Sequence, residues 1–71
     1  MPDPREDFRA TADSIQRDAE HVKVLEEQKR ALDPTDPHVL VLSERVEQIA
    51  AGLQDKAAAE QELAEEIQAE R

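Results

Sequence analysis

The stretch Leu32-Asp33-Pro34-Thr35-Asp36-Pro37 limits this chain to few folds. Two prolines and two aspartates interrupt a sequence that favours helix on both sides. Pro34 drives Asp33 out of the right-handed helical region, so a first helix must stop near Leu32. Neither Pro34 nor Pro37 has the N–H that a helix interior needs. Asp36 suits an N-cap, its carboxylate accepting from free backbone N–H groups of the next helix. Pro37 suits the first helical position, where a missing N–H costs nothing. A hinge at 33–36 is short enough to fold the two helices back as antiparallel neighbours.

The same start signal occurs near the beginning of the chain. Asp3-Pro4-Arg5-Glu6 places an acidic cap, a proline at the first position and a glutamate three residues after the cap, as in a capping box. Residues 1–3 are expected to lack regular order, and the initial Met1 suits a complete small protein. Helix 1 is predicted over about 4–32. Its apolar stripe is Phe8, Ala12, Ile15, Ala19, Val22, Leu25 and Leu32, with Lys29 as the polar interruption. Helix 2 is predicted over about 37–70. Its stripe keeps a heptad through Val39, Leu42, Val46, Ile49 and Leu53, passes Lys56 and Glu60, and resumes at Leu63 and Ile67. Lys56 and Glu60 are read as seam residues forming an i,i+4 pair. Gly52 is the only glycine; the heptad passes it without a phase shift, so the helix is read as continuous, with room for helix 1 to approach near Ala19.

Folding about the hinge pairs residues whose numbers sum to about 71. Leu32 then meets Val39, Leu25 meets Val46, Val22 meets Ile49 and Phe8 meets Leu63. The predicted fold is all-α: one antiparallel, coiled-coil-like two-helix hairpin spanning 1–71. With 71 residues and 16 large apolar side chains, one hairpin has a thin core, and chains this short usually add a staple or a partner. No cysteine is present, so no disulfide is available. Self-association into a homodimeric four-helix bundle is the expected remedy, through Val24, Leu40 and Val41, which lie off the seam near the hinge.

Charge narrows the partners. Eighteen acidic residues against nine basic ones give a net charge of −9. Binding to nucleic acid requires Lys and Arg to neutralise phosphates, and docking on anionic lipid has the same requirement, so neither is expected. A basic protein partner is compatible with it. No apolar run reaches the ~20 residues of a membrane span, and the N-terminal residues do not form a secretion signal; a cytoplasmic location is expected. No catalytic, cofactor-binding or metal-binding constellation is visible. His21 and His38 fall far apart on the hairpin and read as solvated or capping residues, and Glu26-Glu27 and Glu65-Glu66 as solvated faces. The chain is therefore read as a non-enzymatic module for protein–protein interaction or scaffolding.

One local pattern suggests a second function. The segment from Asp36 to Ile49, Asp-Pro-His-Val-Leu-Val-Leu-Ser-Glu-Arg-Val-Glu-Gln-Ile, resembles the second helix of the small sporulation aspartyl-phosphate phosphatases. Those proteins are helical hairpins that bind a response regulator and dephosphorylate it. Their signature is a serine followed four residues later by aspartate. Ser43 matches the serine, and Glu47 stands where the family has aspartate. The resemblance implies a hairpin that regulates a phospho-aspartate signalling protein through Ser43 and Glu47. Acidity alone suggests a third class, an antitoxin-like inhibitor of a basic target.

Overall fold

The computed structural model describes residues 3–70; the expectation for residues 1 and 2 lies outside them. Two helices account for almost all of it, α1 (Pro4–Ala31) and α2 (Pro37–Ala69), and they pack along each other as a hairpin. Both start as the local chemistry requires. The Arg5 amide donates to Asp3 Oδ1 at 3.0 Å, and the His38 amide donates to Asp36 Oδ1 at 2.9 Å. Each cap is followed by a proline whose absent N–H leaves nothing unsatisfied. The reciprocal half of a capping box is missing at the first start, where no contact from Glu6 reaches back to Asp3 among the described residues.

The hinge is more tightly built than two prolines alone require. Leu32 leaves the helical region at φ −93° and ψ 154°, and its amide donates to the Lys29 carbonyl at 3.1 Å. The Asp36 amide then donates to the Asp33 carbonyl at 2.9 Å, closing a β-turn with Pro34 at the position where a fixed φ is favourable. Asp33 Oδ1 accepts from both the Thr35 amide, at 2.9 Å, and the Thr35 hydroxyl, at 2.7 Å. Aspartate, proline and threonine each fix a different part of the same turn. All peptide bonds among the described residues are trans.

The seam differs from the predicted stripe in one respect. On α1 the side chains turned from solvent include Phe8, Ile15, Asp18, Val22, Leu25 and Lys29, at steps of seven, three, four, three and four. Ala19, predicted to lie in the stripe, is exposed, and Asp18 takes its place. The reason is on the facing helix. Lys56 reaches across to Asp18, Nζ to Oδ2 at 2.5 Å, with both side chains about one-third exposed. The predicted Lys56–Glu60 pair does not form. Lys29, the other polar seam residue, lies along the interface and pairs with Glu26 at 2.8 Å. Gly52 does not admit a close approach of α1 either, because a Cβ built there meets nothing within 4 Å. α2 runs through it unbroken.

The result is a rod of 54 × 18 × 15 Å. Its radius of gyration is 16.2 Å, where a compact domain of this length would have about 11 Å. Leu25, 7% exposed, is the only buried hydrophobic residue among those described. The remaining seam residues are half-buried, since two helices cover each seam from one side only.

Candidate functional site: an apolar flank beside the hinge

Of the large hydrophobic residues described, three stand well out of the seam: Val24 (47% exposed), Val41 (63%) and Leu40 (71%). Val41 lines a shallow groove where the helices leave the hinge. Gln28, Ala31 and Leu32 of α1 form one wall, and His38, Val41 and Leu42 of α2 form the other. Val24 lies one turn from Gln28 on the same face of α1. Leu40 projects about a hundred degrees round α2 from Val41, at the edge of this flank. The three residues singled out from sequence therefore surround one end of the hairpin, and Val24 and Val41 share a side of it.

The charge is divided unevenly between the two ends. Residues 21–49, the hinge half, hold four basic and six acidic residues, a net of −2. The other 42 residues hold five basic and twelve acidic, a net of −7. The apolar flank thus sits on the end where repulsion is weakest. At the far end Arg5 and Glu70 approach to 3.3 Å between the helices, well exposed to solvent.

The acidity of two hinge carboxylates is altered. Asp33 is held below the ordinary carboxylate range by the hydrogen bond from the Thr35 amide, and then by the one from the Thr35 hydroxyl. Asp36 is lowered by the His38 amide and by the His38 ring, whose Nδ1 lies 2.9 Å from Oδ1. Their effect is structural: each carboxylate is committed to backbone N–H groups.

Ser43 and Glu47 share one face of α2, with Ser43 half-buried beside the seam and Glu47 exposed. No hydrogen bond joins them among the described residues, and they lie away from the groove that Val41 lines. His21 is exposed on α1, while His38 is tied to its own cap. A larger concavity runs over Asp13, Gln16, Arg17, Ala19 and Glu20, all on the outer side of α1, with charges of both signs. Among the described residues, no three His, Asp or Glu side chains converge closely enough to hold a metal ion, and no helix is long and apolar enough to cross a membrane. Sequence reasoning missed the Asp33–Thr35 clamp and the Asp18–Lys56 pair. An aspartate two residues before a threonine in a turn was the available signal for the first.

These features define a class: a helical hairpin with a thin seam, a locked hinge and one unpartnered apolar flank. The chain matches no protein-family model, and no curated protein or solved structure matches it.

Proposed function

We propose that this protein is a non-enzymatic interaction module that works by self-association, its apolar flank packing on a second copy to give four helices in cross-section. The observation that carries this reading is the shortfall in burial. The hairpin exposes 5748 Å², roughly 1,300 Å² more than a compact monomer of its mass would expose. A standard interface covers about 800 Å² on each partner, which takes up more than half of that excess. The exposure of Val24 and Val41 supports their face as the one to be covered, and the low charge of the hinge half favours two acidic chains meeting there.

The test is molar mass in solution by light scattering after size exclusion, over a concentration series. Refractive index must serve for detection, because the chain has neither Trp nor Tyr. A mass near twice 8.0 kDa is expected, falling towards one chain on dilution. Val24→Glu and Val41→Glu should each shift that transition to higher concentration while helical circular dichroism is retained. A folded chain that stays monomeric at every concentration would overturn the proposal.

A further inference from the structure

Gly52 is unexplained within one chain. A glycine in a helix interior costs about 0.5–1 kcal/mol relative to alanine, and here no neighbouring helix needs the space, because a Cβ would meet nothing within 4 Å. Val41 is unexplained for the opposite reason, being a branched apolar side chain left 63% exposed. The two are eleven residues apart, three helical turns, and so lie on the same side of α2.

That side reads His38, Val41, Arg45, Gln48, Gly52, Asp55, at steps of three, four, three, four and three. The series is complementary to its own reverse. Laid antiparallel on a second copy about a midpoint between Arg45 and Gln48, His38 falls opposite Asp55, Val41 opposite Gly52, and Arg45 opposite Gln48. No two like charges meet, and the one bulky apolar residue finds the one position without a side chain. On α1 the ion pairs Asp18–Lys56 and Arg5–Glu70 set the level. They place the same midpoint within about one turn of Val24, the exposed valine on α1's side of the flank. Val24 then lies about 6 Å along the axis from the two-fold, and about 12 Å from its own counterpart, at 1.5 Å per residue.

Resting on the self-association proposed above, the geometry points to a staggered antiparallel dimer. Residues 37–56 of α2 in each copy lie on the same stretch of the other, and Val41 of each copy seats over Gly52 of its partner. The stagger also separates charge. The two far ends, at −7 each, point in opposite directions, whereas a parallel pair would set them side by side.

The experiment combines one distance with one variant. The chain has no cysteine, so Gln61→Cys places one spin label per copy at an exposed position of α2. In the staggered dimer the labels are about 44 Å apart along the axis, twice the ~14.5 residues from the midpoint at 1.5 Å per residue. Full-length antiparallel overlap or a parallel pair brings them below about 30 Å. Gly52→Leu puts a side chain at a position where a Cβ meets nothing within 4 Å in its own chain, and it should raise the dimer dissociation constant at least tenfold with helicity unchanged or higher. Ala58→Leu, exposed and outside the series, should leave association as it is. A dimer with the short distance, or one indifferent to Gly52→Leu, overturns the stagger and leaves self-association standing. A monomer at all concentrations overturns both.

Discussion

Replacing the Asp18–Lys56 pair by two leucines should stabilise the hairpin. The pair occupies a seam position, with its side chains 28% and 36% exposed. A fully buried leucine contributes roughly 1.5–3 kcal/mol relative to an exposed one, so two leucines about two-thirds covered would add roughly 2–4 kcal/mol. The ion pair they replace is partly solvated and contributes at most about 1 kcal/mol. Charged pairs in partly dry settings are often improved upon by apolar residues of similar size. The net gain is about 2 kcal/mol, a rise in melting temperature of about 8–16 °C for a chain this short. Thermal unfolding followed by circular dichroism at 222 nm reads this directly. Wild type and Asp18→Leu/Lys56→Leu must be compared at one protein concentration with their masses measured, because association raises apparent stability by itself. Asp18→Leu alone should gain less, since it leaves Lys56 without its partner. A double variant that melts at or below wild type would refute the account, and would mean that the cross-seam pair contributes more than the apolar layer replacing it.

Two further outcomes follow from the hinge and from α2. The carboxylates of Asp33 and Asp36 are lowered in the folded chain, so their stabilising contribution is fully present above the ordinary value of about 3.9 and is lost as pH falls through the lower folded values. Asp33→Ala/Asp36→Ala should therefore melt below wild type at pH 7, with the gap narrowing as the pH falls below the ordinary carboxylate value; a gap that is constant with pH would contradict the assigned hydrogen bonds. Ser43→Ala/Glu47→Ala should change neither the mass nor the melting temperature. If wild type hastens the decay of a phosphorylated response regulator and this variant does not, the phosphatase resemblance, and not self-association alone, describes the function.

The hinge was legible because its causes are local. A proline excludes helix before it, and an aspartate caps the helix after it, whatever the rest of the chain does. α1 was predicted to end at about 32 and ends at Ala31; α2 starts at Pro37 as predicted. The seam of α1 was harder to read. Following apolar character leads from Ile15 to Ala19, whereas the packed face runs through Asp18. A charged residue enters a seam when a partner of opposite sign faces it, and that partner is 38 residues away in the chain. Spacing within one helix does not reveal such a pairing. Lys56 was read with Glu60 for the same reason: the i,i+4 neighbour is visible in the sequence and the facing helix is not. Val24, Leu40 and Val41 were legible as residues off the stripe, and the structure leaves all three exposed. In the proposed dimer a second copy covers Val24 and Val41, and the sequence signals that pairing only as the symmetry of the series from His38 to Asp55.

The tight turn at Asp33–Asp36 also orders the events of folding. Each layer of the seam closes a loop, and the loop lengthens with distance from the hinge. The Leu32–Asp36 corner needs only a few residues to come together, Asp18 and Lys56 enclose 38, and Arg5 and Glu70 enclose nearly the whole chain. Between a loop of about 7 residues and one of about 65 the closure cost grows by roughly 2 kcal/mol. Helix pairing therefore propagates from the turn outwards like a zipper, and opening runs the other way. The Arg5–Glu70 end parts first and most often, while the turn and the layers beside it exchange their amide hydrogens last. A protease sampling the native chain would cut near the two termini long before it reached Leu25.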